Sequence, residues 1–149
     1  MSNPSVYGGS RLTLTLDLDL PEKMHLYAPG VAKPYIPIDW TIAESAAYDV
    51  FPASYPPSRQ LRLEAIDETV PVFEGKLRVL REIKVAQFRE AQKAAKDGKI
   101  EIQGVFRYQA CDDRVCYAPQ TIPLRWELDL EEYDRQRAPA ELRGERPVN

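Results

Sequence analysis

Cysteine and histidine are scarce in this chain, with two of the first, Cys111 and Cys116, and one of the second, His25. A structural zinc site takes four Cys or His ligands. Asp112, Asp113 or a second chain would have to complete one here, so no metal is expected. No apolar run approaches the roughly 20 residues that cross a bilayer as a helix. The opening "MSNPSVYGGSRLT" has neither the basic start nor the apolar stretch of a secretory signal. Charge of one sign forms no block, and a net charge of −3 with both signs mixed leaves no basic stripe for phosphates or anionic lipid. Neither nucleic acid nor direct membrane contact is expected.

What is present is globular. At 149 residues, 44% hydrophobic and 29% charged, the chain has the size and composition of one domain with a real core. In "RLTLTLDLDL" Leu12, Leu14, Leu16, Leu18 and Leu20 alternate with Thr13, Thr15, Asp17 and Asp19, the period of a half-buried strand. Further strand patterns follow at "KMHLYA", "YIPIDWTIA", "RQLRLEA", "KLRVLREIKVA", "KIEIQGVFRYQA" and "QTIPLRWELDL", with Pro, Gly, Asp and Ser between them. "AQFREAQKAAKD", 86–97, lacks Gly and Pro and predicts a short helix ended by Gly98. The pattern is all-β, a sandwich over 10–130 with one short helical connection. Residues 1–9 are expected to be a disordered lead outside it, and 131–149 a charged, partly ordered tail. A strand pattern that begins so early fits a domain excised from a larger protein.

The chemistry concentrates in "FRYQACDDRVCYAPQT", 106–121, at the tip between the last two strand patterns. A disulfide closing so short a loop stabilises by about 2 kcal/mol in the chain-entropy account, and a local staple of this kind is one reading. The other is a redox couple, since a hairpin tip presents sulfur to an incoming thiolate. Asp112 and Asp113 beside Cys111 disfavour a thiolate, partly offset by Arg114, and so favour a reducing couple; Asp is equally a turn residue. His25, alone in its strand pattern, reads as a strand residue and is left out of the catalytic set.

"YQACDDRVCYAPQT" followed by "IPL", with "VFEGK" earlier in the chain, resembles the N-terminal periplasmic domain of the thiol:disulfide interchange protein DsbD. The resemblance spans roughly residues 10 to 130 and is sharp around the cysteines. It implies an immunoglobulin-like β-sandwich and a redox-active pair in which Cys116 forms the mixed disulfide with partners and Cys111 completes the intramolecular bond. It implies a cap loop at Phe73, Glu74 and Gly75, with the Phe73 ring shielding the disulfide, and an aromatic near the cysteines at Tyr27. Tyr108 and Tyr117 flank the pair. Thioredoxin-fold proteins as donor and acceptor, an extracytoplasmic location, a larger parent protein and no cofactor follow from the same likeness. The chain departs from the family pattern in a spacing one residue shorter and in Ala118, where a second proline is common. The alternative is a non-catalytic immunoglobulin-like interaction domain with a structural disulfide, attached to a larger, peroxiredoxin-like redox protein.

Overall fold

The computed structural model describes residues 3–132. Strands β1 (Ser5–Tyr7), β2 (Arg11–Asp19), β3 (His25–Tyr27) and β4 (Asp39–Ile42) open the chain. Strands β5 (Tyr48–Ser54), β6 (Arg59–Leu63), β7 (Glu68–Glu74) and β8 (Lys76–Val85) follow. Helix α1 (Phe88–Ala94) leads into β9 (Lys99–Tyr108), β10 (Ala110–Cys111) and β11 (Gln120–Glu131). They form three sheets, in the orders β1-β11-β9-β4, β10-β3-β7-β6 and β2-β8-β5. The result is the all-β sandwich that the alternating pattern predicts, immunoglobulin-like as the family resemblance implies, with the α-helix lying inside the predicted 86–97.

The inward residues are those the period selects. In β9, Ile100, Ile102 and Phe106 are buried while their neighbours are exposed, and β2 buries Leu14 with Leu12, Leu16 and Leu18 half-buried against the same core. One main core draws on all three sheets, from Trp40 of β4 and Tyr48 of β5 to Val79 and Ile83 of β8. A second, smaller cluster forms on the other face of the β3 sheet from Tyr27, Val70, Val72 and Cys111. That cluster is the floor of the cysteine site.

Three strands lie outside the predicted set. Ser5–Tyr7 falls within the expected lead, yet it pairs in parallel with β11, and Val6 is only 6% exposed. Gly8 makes this docking possible, because a Cβ there would stand 2.3 Å from the Phe88 nitrogen. β5 contains Pro52, which reads as punctuation, but β5 is an edge strand and its register shifts between Val50 and Ala53, where a missing N–H harms no ladder. β7 contains Pro71, just past the last residue that pairs with β3; the Pro71 carbonyl accepts from the Ala28 nitrogen at 2.9 Å. The expected tail lies outside the described residues from 133 on, while Glu131 ends β11.

The inward and outward positions of β9 yield a direct stability test. Ile102→Ala should cost about 2–5 kcal/mol, whereas Val105→Ala, at a position 40% exposed, should change stability by about 0.5 kcal/mol or less. Urea unfolding of both variants measures this, and equal shifts in midpoint would contradict the assignment of faces.

Candidate functional site

The connection between β9 and β11 leaves its own sheet. After Tyr108 the chain crosses to the neighbouring sheet, where Ala110 pairs with Leu26 and Cys111 with His25. It then turns back on itself: the Asp112 nitrogen donates to the Val115 carbonyl and the Tyr117 nitrogen to the Ala110 carbonyl, each at 2.9 Å. The Asp112 side chain closes the turn. Its Oδ1 accepts from the Arg114 and Val115 nitrogens, each at 2.7 Å, and its Oδ2 from the Tyr117 hydroxyl at 2.9 Å. These donors hold the Asp112 carboxyl below the usual carboxylate range, the Val115 amide contributing most. Bonding to that carboxylate in turn pushes the Tyr117 hydroxyl up.

Cys111 and Cys116 are joined by a disulfide, with their Cα atoms 4.0 Å apart. The partners are not equivalent. Cys111 is 1% exposed, packed with Val70 and Val72, whereas Cys116 lies exposed on the outer arm of the tip. The hydroxyl of buried Tyr27 reaches both sulfurs, at 3.5 Å from each. Tyr35 packs on Tyr27 with ring centroids 4.8 Å apart, and the His25 ring meets it edge-on at 5.7 Å. Burial pushes the Tyr27 hydroxyl up, so it remains a protonated donor at neutral pH.

The other predicted residues divide between the two faces of the β3 sheet. Glu74 pairs with His25 across β7 and β3, which puts it on the face of Cys111, where Arg59 holds it at 2.6 Å. Phe73 pairs with Leu26, one residue out of phase, and belongs to the main core. Its ring stacks on Tyr55 with centroids 6.3 Å apart, on the face turned away from Cys111. The reading of Phe73, Glu74 and Gly75 as a loop is corrected, since the strand runs to Glu74 and only Gly75, at φ 68°, makes the turn. Tyr108 stacks on Phe106 against the main core, and Asp113 is exposed at the tip. Tyr35 and His25 are the site residues missing from the sequence-based set; the alternation of "MHLYA" places His25 and Tyr27 on one face.

His25 is 4% exposed, and its Nε2 has no hydrogen-bond partner among the described residues. Burial lowers its pKa, against the opposing pull of Glu74, Asp113 and Asp112. Among the described residues no group of three or more His, Cys, Asp or Glu side chains could hold a metal ion. No helix among them is long and apolar enough to cross a membrane. The arrangement leaves one cysteine of the disulfide exposed and the other buried.

Residues 2–125 match the family described as "Thiol:disulfide interchange protein DsbD, N-terminal". No curated protein matches the chain. The crystal structure of the N-terminal periplasmic domain of ScsB from Proteus mirabilis aligns with a TM-score of 0.54 at 14% identity, over 83% of this chain. This chain spans 43% of that one. The reduced DsbD N-terminal domain of Neisseria meningitidis aligns with a TM-score of 0.48 at 15% identity, over 74% of this chain and 73% of its own.

The Asp112 turn generates a pH-dependent expectation. A carboxyl whose pKa is lower in the folded tip than in the open chain favours the closed tip above about pH 4, and that contribution is lost as the pH falls through the lowered value. Hydrogen exchange at the Arg114 and Val115 amides should therefore be protected at neutral pH, after correction for its intrinsic pH dependence, and become unprotected in strong acid. Asp112→Ala should remove that protection at every pH; protection unchanged in the variant would show that the carboxylate does not close the tip.

Proposed function

This chain belongs to the DsbD N-terminal family, and from that membership we propose that it is a relay module passing two electrons from a thioredoxin-fold donor to oxidised partner proteins. Family and disulfide together support thiol:disulfide exchange in general. The finer reading is carried by one observation, the unequal burial of the two cysteines, whose sulfurs share a single hydroxyl. An attacking thiolate can approach Cys116 from solvent but not Cys111.

In the loading step a donor thiolate attacks Sγ of Cys116, the Cys111–Cys116 bond breaks, and Cys111 leaves with the electron pair. The donor's second thiol then resolves the mixed disulfide and frees Cys116. In the delivering step the Cys116 thiolate attacks the acceptor's disulfide, and Cys111 displaces the reduced acceptor as the ring closes again. The couple itself carries both electrons, so no cofactor is required. Tyr27, rather than Phe73, lies against the sulfurs and screens one side of Cys116, and a docking partner approaches from the side that faces solvent. The module acts outside the cytoplasm, as one domain of a larger protein.

A staple explains less of the same geometry. The tip is already closed by the Asp112 carboxylate and two backbone bonds, so a disulfide worth about 2 kcal/mol there reinforces a turn rather than joining distant strands.

Cys111→Ala should trap a mixed disulfide through Cys116 with a thioredoxin-fold protein whose resolving cysteine is removed, and Cys116→Ala should trap none. Non-reducing electrophoresis reads the result, and trapping through Cys111, or through neither, would overturn the assignment. Tyr27→Phe should speed reduction by dithiothreitol several-fold; an unchanged rate would remove Tyr27 from the shielding role.

A further inference from the structure

The one histidine of the chain lies opposite the buried cysteine and has no role in the mechanism so far. We propose that His25 is the proton acceptor for the Cys111 thiol, the side chain that turns Cys111 into a nucleophile when it closes the ring. The inference rests on the exchange reading above and deepens it.

Three observations carry it. Cys111 and His25 are register partners across β10 and β3, and directly opposed residues of an antiparallel pair share a face, with Cβ atoms about 4.5–5.5 Å apart. His25 is the buried polar side chain of the described core, 4% exposed, and its Nε2 is unpartnered. Leaving such an atom unsatisfied costs about 1–3 kcal/mol. The structure holds the oxidised pair, in which Cys111 has no proton to offer. Reduction creates an S–H on the register partner of His25, on the same face of the sheet, so the imidazole faces a proton donor in the state where a proton has to be moved.

The surrounding charges suit the same task. Facing His25 are Glu74 from β7, itself paired with Arg59 of β6, and Asp112 and Asp113 from the tip, with Tyr27 beside it on its own strand. Burial favours the neutral imidazole, which can accept a proton, and the three carboxylates favour the imidazolium that results. Acidic groups that oppose an isolated thiolate therefore support an imidazolium–thiolate pair.

Cys116 is joined to the partner's sulfur. Nε2 of His25 takes the proton from Sγ of Cys111, and the thiolate attacks Sγ of Cys116. The Cys111–Cys116 bond forms as the bond from Cys116 to the partner breaks. The partner leaves as a thiolate with the electron pair, and the imidazolium returns its proton to that thiolate or to water.

The test uses the full chain, reduced and mixed in stopped flow with the aromatic disulfide dithiobis(nitrobenzoate). Thionitrobenzoate should appear in two phases, the first from attack by Cys116 and the second from ring closure by Cys111. With His25→Phe the second phase should slow by about a hundredfold or more near neutral pH, the lower reach of general-base effects, while the first keeps its rate. The pH profile of the second phase should also move from the imidazole range to the thiol range. His25→Gln, which keeps a polar side chain but cannot titrate, should behave the same way. Second-phase rates and pH profiles matching the native chain in either folded variant would overturn the proposal. Failure of Cys116 to react in the native chain would instead overturn the exchange reading, and this inference with it.

Discussion

Everything at the site depends on the short antiparallel pairing of β10 with β3. Two residues, Ala110 and Cys111, leave the sheet of β9 and β11 and dock against Leu26 and His25. Without this crossing the tip would project from the end of a hairpin with both cysteines in water. With it, Cys111 becomes part of a small core with Val70 and Val72, Tyr27 reaches both sulfurs, and His25 is brought opposite the buried cysteine. Because side chains alternate along a strand, a slip of one residue in this register would exchange Cys111 for Ala110 on the site face.

That docking buries one cysteine of the disulfide and leaves the other exposed, the asymmetry on which the proposed exchange rests. The asymmetry comes from packing, and acidic groups crowd the same face. Asp112 keeps its charge because three donors in the tip stabilise it. Together with Asp113 and Glu74 it leaves a free thiolate poorly stabilised, which favours a reducing couple. The tip also holds its own shape through Asp112, so breaking the disulfide need not unfold it. A couple that cycles between oxidised and reduced forms requires that independence.

Much of the sandwich was legible in the sequence because its strands obey a strict alternation: the leucines of β2 and the inward Ile100, Ile102 and Phe106 of β9 are read directly. The strands that escaped notice carry the wrong local signals. Pro52 and Pro71 read as breaks, yet each sits where no ladder bond is lost, and three-residue β1 is too short to show a period. At the site, the cysteine pair and its turn were legible, since Asp112 and the two cysteines are close in sequence. Roles that depend on distant partners were not. "VFEGK" reads as a loop because Glu, Gly and Lys follow the Phe, whereas register puts Phe73 in the main core. His25 looked like any strand residue until the crossing of β10 placed Cys111 opposite it.

The central claim is that Cys111–Cys116 is an exchangeable couple rather than a fixed staple. Its reduction potential decides this most directly, measured by equilibrating the chain in glutathione or thioredoxin redox buffers and counting free thiols by alkylation and mass. An exchangeable, reducing couple is expected between about −300 and −200 mV, the span of thioredoxins and glutaredoxins. A potential below about −300 mV, where inert structural disulfides lie, would contradict the account.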